Sequence, residues 1–124
     1  MNTHRVAVYG TLREGEGNFR LLRDAVKDGT HRIGGFVMYS NGGFPYAVEG
    51  EGQITVETYS VDDRTLRNLD MLEGYPHHYD RREVDVNGKP AWIYFVREGH
   101  IRLDLLNAVP DGDWVAHRKS LYID

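Results

Sequence analysis

The chain has 124 residues, 40% hydrophobic and 27% charged, the size and balance of one globular domain able to bury a core without staples. Its formal net charge of −4 argues against nucleic acid as a partner. The absence of cysteine excludes disulfides, thiolate nucleophiles and cysteine-ligated zinc.

No apolar run approaches the ~20 residues of a bilayer span. No apolar leader core follows Met1-Asn2-Thr3-His4-Arg5. The expectation is a single domain over residues 1–124, cytoplasmic, with no membrane partner. The fourteen glycines point to many tight turns, and eight tyrosines offer apolar bodies with polar tips for a polar pocket.

In chain order, Val6 to Tyr9 is a short β-rich run that ends at Gly10. Residues 13–17 read as a flexible polar loop. Asn18 is placed to cap a short helix carrying Phe19, Leu21, Leu22 and Ala25. Phe36 to Tyr39 reads as a strand closed by the turn cluster Ser40-Asn41-Gly42-Gly43. Pro45 interrupts the apolar patch from Phe44 to Val48, which suits an edge or a loop better than a strand interior. Residues 54–60 alternate with the period of a strand. Asp62-Asp63 then opens a helix whose buried side carries Leu66, Leu69 and Leu72; Gly74 stops it and Pro76 forbids its resumption. Arg82 to Val86 and Ala91 to Val96 are strands joined by Asn87-Gly88, a strong hairpin signal. A helical turn fits Ile101 to Leu106, ahead of Pro110-Asp111-Gly112-Asp113-Trp114. Six strands and two or three short helices make an α+β domain with a mixed, strongly curved sheet.

Two local features suggest chemistry. On the central helix, at about 100° per residue, Glu73 falls at about 340°, between Leu69 at about 300° and Leu66 at 0°. A glutamate on the inward stripe is desolvated, which raises its pKa toward the range of a neutral-pH acid/base. The same place in the last turn also suits a frayed, solvated glutamate, and Asp70, flanking the stripe, competes for the role. The second feature is Tyr9-Gly10-Thr11-Leu12 at a strand end. There, outward amide N–H groups would bind an anion or an oxyanion, though an ordinary turn has the same pattern. His77-His78 invite a metal, but adjacent residues point apart and no third ligand has suitable spacing.

Together the two segments resemble a known family. VAVYGTLREGEGNFRLL is similar to the Tyr-Gly-Ser/Thr-Leu signature of γ-glutamylcyclotransferase-like (AIG2-like) proteins. GQITVETYSVDDRTLRNLDMLEGYPHHYDRREVDV resembles the family's second block: a strand, a helix reading Leu-Asp-x-x-Glu-Gly-x-Pro, then Tyr-x-Arg and a strand. AWIYFV resembles the family's next strand, and GDWVAHRK is similar to the ending of short bacterial members. Residues 26–50 are the least family-like.

The resemblance implies a small barrel-like sheet with flanking helices and a cavity at one end. It implies cyclisation of a γ-glutamyl amide to 5-oxoproline with release of the amine, in the short γ-glutamylamine branch. It implies Glu73 as general acid/base, and Tyr9, Gly10, Thr11, Leu12, Tyr79 and Arg81 as substrate-binding residues, with no metal or other cofactor. The loop's amides then serve either the oxyanion or the substrate carboxylate. A non-catalytic module binding a small ligand, or an interaction protein, are the other readings of the same fold.

Overall fold

The computed structural model describes residues 3–97 and 99–121; Met1 and Asn2 of the leader reading lie outside them. Six strands form one sheet: β1 (Thr3–Val8), β2 (Val26–Ser40), β3 (Pro45–Asp62), β4 (Asp80–Val86), β5 (Lys89–Phe95) and β6 (Asn107–Ala108). Their order is β4-β5-β1-β3-β2-β6. The β1–β5 pair is parallel and the others are antiparallel. Two α-helices, α1 (Asp63–Glu73) and α2 (Trp114–Ser120), and two short 3-10 turns complete the chain. The expected α+β class and curved mixed sheet are thus the observed ones, as a curled half-barrel. Among the described residues no helix is long and apolar enough to cross a membrane.

Strand β1 is central because both its faces are apolar. Val6 and Val8 point into one cluster with Leu22, Tyr59, Leu66 and Leu69. Ala7, with Tyr9 just beyond, points into the other, with Phe36, Ile54, Ile93 and Trp114. The curl comes from β2 and β3, which are far longer than their apolar runs suggested. Val26 to Arg32 is mostly exposed and polar, so no hydrophobic pattern marked it; backbone pairing to β3 carries it. The register breaks between Gly34 and Phe36, where Gly35 adopts φ +92°, and the hairpin bends there. Its far end folds back until the Val96 amide donates to Ala47 O at 2.9 Å. Pro45 is the first residue of β3, a place where a missing N–H costs the ladder nothing.

The Asn87-Gly88 hairpin forms as expected, with φ +53° and +84°. Helix α1 is capped at both ends: the Thr65 amide donates to the Asp62 carboxylate, and Gly74 ends it in the left-handed region. Leu66 and Leu69 are buried, whereas Leu72 is 42% exposed. The 3-10 turn Phe19–Leu22 has no side-chain cap from Asn18; that side chain donates to Thr11 Oγ1 at 2.9 Å instead.

Residues 13–17 differ from the flexible loop expected. Arg13 is buried, its Nε donating to Glu57 at 2.8 Å and its Nη1 to Asp113 at 2.8 Å. Asp113 also caps α2 through the Ala116 amide, so one guanidinium ties the loop after β1 to β3 and to the last helix. Burial alone would raise the Glu57 pKa, but Arg13, the Glu14 amide and the Tyr59 hydroxyl outweigh it and hold the carboxylate below the usual range.

Candidate active site

Helix geometry delivers Glu73 to the end of β1. Helix α1 starts where β3 ends, beside Thr3. Eleven helical residues run back about 16 Å, close to the roughly 20 Å of six extended ones. Glu73 therefore arrives beside the loop that leaves β1. Because β5 runs parallel to β1, its C-terminal end arrives there too, and the curled start of β3 closes the far side. A cavity of about 570 Å³ opens at this junction. Its lining includes Tyr9, Gly10, Thr11, Leu12, Glu73 and Tyr79.

Glu73 is half-buried and ends a helix that is tied down, not frayed. The Gly74 and Tyr75 amides donate to Asp70 O, the Tyr79 amide donates to Glu73 O, and His77 and His78 donate to Gly74 O. Its carboxyl has no ion-pair partner among the described residues. Desolvation by burial raises its pKa to about 7. The negative end of the α1 dipole acts in the same direction.

Tyrosines surround it. The Tyr9 phenol is pushed well above its ordinary value, first by burial and then by Tyr79 and Glu73. Tyr79 moves the same way, first by burial and then by Glu73 and Tyr46. Both phenols stay protonated at neutral pH and remain donors. The Ala47 amide donates to the Tyr9 oxygen at 3.3 Å, leaving the phenolic proton to donate elsewhere.

The loop is held close. A Cβ on Gly10 would stand 2.8 Å from Pro45 Cγ, so glycine is required here by the approach of β3 and not by a positive φ. The Arg13 amide donates to Gly10 O, and the Asn18 amide to Thr11 O. The amides of Gly10, Thr11 and Leu12 have no acceptor among the described residues, which leaves three donors on a loop that lines the cavity.

Arg81 and Asp70 lie apart from the cavity lining. Arg81 Nε is 3.2 Å from Asp70 Oδ1, and its guanidinium lies 4.6 Å and 4.5 Å from the Tyr75 and Trp92 ring centroids. The Tyr94 hydroxyl donates to the same Asp70 oxygen at 2.5 Å. Asp70 is thus an occupied structural carboxylate where Glu73 is an unpartnered one. Sequence reasoning missed Tyr46, Tyr94 and Asn18 as lining residues. Of these, only Tyr46 had a signal, as part of the apolar patch from Phe44 to Val48. Among the described residues no group of three or more His, Asp or Glu side chains is placed to hold a metal.

Fold and site together define a curled half-barrel with an end cavity lined by a protonatable carboxyl and by a loop whose backbone donors lack acceptors among the described residues. The chain belongs to the γ-glutamyl cyclotransferase, AIG2-like family, whose model matches residues 6–116. It is 39% identical over 112 residues to a Vibrio cholerae relative, covering 90% of this chain and 95% of the other. It is 33% identical over 115 residues to the Escherichia coli K12 γ-glutamylcyclotransferase family protein YtfP, covering 93% and 99%. A crystal structure of a Pyrococcus horikoshii protein superposes with TM-score 0.83 at 29% identity, covering 96% of each chain.

Proposed function

We propose that the protein cyclises γ-glutamyl amides of the γ-glutamylamine type to 5-oxoproline and releases the free amine, with Glu73 carrying the proton. The observation that carries this reading is an unpartnered carboxyl titrating near 7 in the cavity of a γ-glutamyl cyclotransferase family member.

The substrate's α-amine attacks its own γ-carbonyl carbon. A new C–N bond closes a five-membered ring, and the original amide C–N bond breaks. Proximity lowers the barrier, since intramolecular attack in good geometry is equivalent to ~10⁵–10⁸ M of external nucleophile. Proton transfers remain. The α-amine arrives as an ammonium and gives one proton to the Glu73 carboxylate. The departing nitrogen takes that proton from the Glu73 carboxylic acid and leaves as the amine. The ring nitrogen, positively charged once it has attacked, sheds its second proton to the Glu73 carboxylate so regenerated, which passes it to the released amine or to solvent. A group with pKa near 7 is suited both to taking and to giving a proton, because neither form is strongly favoured at neutral pH.

The amides of Gly10, Thr11 and Leu12 serve the tetrahedral oxyanion or the substrate carboxylate. Tyr9, neutral, keeps its phenolic proton to donate, and Tyr79, also neutral, donates to Pro45 O at 3.5 Å; neither adds a charge that would compete for the proton. Arg81 acts at one remove, holding the Asp70 end of α1 and through it the position of Glu73.

The test is product stoichiometry. A purified sample with a γ-glutamyl amide should yield 5-oxoproline and free amine in equal amounts. Free glutamate in place of 5-oxoproline would mean hydrolysis and sink the cyclisation; no turnover of any γ-glutamyl amide would sink the proposal whole.

A further inference from the structure

The cavity lining is of two kinds. Glu73, Tyr9 and the Gly10–Leu12 loop form the less exposed part. The outer half, the part with most exposed side chains, carries Phe44, Met71 and Leu72, which are 41%, 80% and 42% exposed, beside the exposed His78 and His100. Six large hydrophobic side chains are exposed among the described residues, and three of them line this one cavity. Solvent-facing apolar groups gathered at a cavity mouth mark a binding surface more than chance.

The rings there are ordered into a track. Phe44 lies 5.2 Å from Tyr46, centroid to centroid. Tyr46 stacks on Tyr79 at 6.0 Å with planes 12° apart. Tyr79 in turn is close enough to Glu73 for the carboxylate to raise its phenol. A run of aromatic rings therefore leads from Phe44 to the tyrosine nearest Glu73.

Charge in the lining is scarce. Among the described lining residues there is no lysine or arginine, and the only carboxylate is Glu73; His78 and His100 are the other titratable groups there. A departing amino acid brings a carboxylate and finds no fixed cation. A departing polyamine brings a second ammonium, and the single carboxylate within reach is engaged with the α-amine.

We infer that the outer half of the cavity seats the departing amine and selects an alkyl or arylalkyl monoamine over an amino acid or a polyamine; this rests on the cyclisation proposed above. Specificity then comes from apolar burial against Phe44, Tyr46 and Leu72 and from the cost of leaving a charged group unpaired.

The experiment measures kcat/KM from 5-oxoproline release for γ-glutamyl adducts of methylamine, butylamine, phenethylamine, alanine and putrescine. The expected result is a rise of about three- to fourfold per methylene from methyl to butyl. The phenethyl adduct should be best, and the alanine and putrescine adducts at least about tenfold below the butyl one. Phe44→Ala should narrow the phenethyl-to-methyl ratio about tenfold, the effect of losing one aromatic contact surface. A flat alkyl series would overturn the inference. So would an alanine or putrescine adduct equal to the butyl adduct, or an unchanged ratio in Phe44→Ala. In each of those cases 5-oxoproline still forms and the cyclisation stands. If none of the five adducts yields 5-oxoproline, the reaction assigned above fails, and this inference with it.

Discussion

Replacing Arg13 by methionine tests how the site loop is held. In the native chain the Arg13 and Glu57 side chains are 8% and 6% exposed, and their 2.8 Å contact is shared with Asp113. Methionine fills much of the arginine stem volume but leaves the Glu57 carboxylate buried without its cation. Removing one partner of a buried pair costs roughly 3–5 kcal/mol. Glu57 keeps the Glu14 amide and the Tyr59 hydroxyl, and Asp113 keeps the Ala116 amide, so the lower end, about 3 kcal/mol, is expected. For a domain of this length that lowers Tm by about 12 °C. The sign with pH follows from Glu57, whose pKa is depressed in the folded state. The native pair contributes above the unfolded glutamate value of about 4.3 and is lost as pH falls through the lower folded one. The destabilisation by Arg13→Met should therefore be full at pH 7 and shrink below about pH 4. Differential scanning calorimetry of the two proteins across pH 3–7 reads this directly. Adding Glu57→Gln to Arg13→Met should recover part of the loss, because the buried charge is gone. A drop of less than about 4 °C at pH 7, or one that grows toward acid, would refute the reasoning.

Glu73 has the opposite linkage. Its folded pKa of about 7 lies above the unfolded value, so the native state holds the proton more tightly and stability declines as pH rises from about 4.3 through 7. Glu73→Gln removes that decline: equal to the native protein near pH 4, it should be more stable at pH 8 by up to about 3 kcal/mol, read as a Tm gap that opens with pH. Gly10→Ala forces a Cβ to 2.8 Å from Pro45 Cγ. Overpacking of this kind costs about 1–3 kcal/mol, and because Gly10 lines the cavity, kcat/KM for a γ-glutamyl amide should fall well beyond what the Tm loss explains. Gly112→Ala sets a Cβ 2.1 Å from the Gln53 carbonyl oxygen at φ +65°. It should destabilise by about 3 kcal/mol or more in chemical denaturation, since both the space and the backbone conformation forbid it.

Local chemistry made half of this molecule legible. The caps of α1, the buried Leu66 and Leu69 of its stripe and the Asn87-Gly88 turn are short-range signals, and each appears where it was read; Leu72, read as buried with them, is exposed. The stripe also drew attention to Glu73 from sequence alone, because a carboxyl between Leu66 and Leu69 conflicts with its neighbours. What stayed hidden depends on partners far along the chain. Arg13 sits among glycines and glutamates and reads as solvated, yet its partners lie 44 and 100 residues on. The first half of β2 is mostly exposed and polar, so no hydrophobic period marks it; pairing with β3 makes it a strand. Helix α2 was missed because its seven residues carry one buried side chain, Trp114, too little for a period to show. Pro45 misled because a strand's first residue tolerates proline while an interior one does not. The exposed apolar part of the cavity lining was invisible because Phe44 and Leu72 come from a turn and a helix end that only the curled sheet brings together.

The most direct test of the account is the pH dependence of kcat/KM for 5-oxoproline formation in the native protein and in Glu73→Gln. Below its pKa, Glu73 is protonated and cannot accept the ammonium proton, so the native rate should fall as pH drops, with a midpoint near 7. Glu73→Gln should lose about 10²–10⁴-fold at pH 8, the usual worth of one positioned acid/base group, and lose the acid limb with it. A Glu73→Gln protein that keeps both the native rate and the native acid limb would contradict the assignment of Glu73 as the proton carrier.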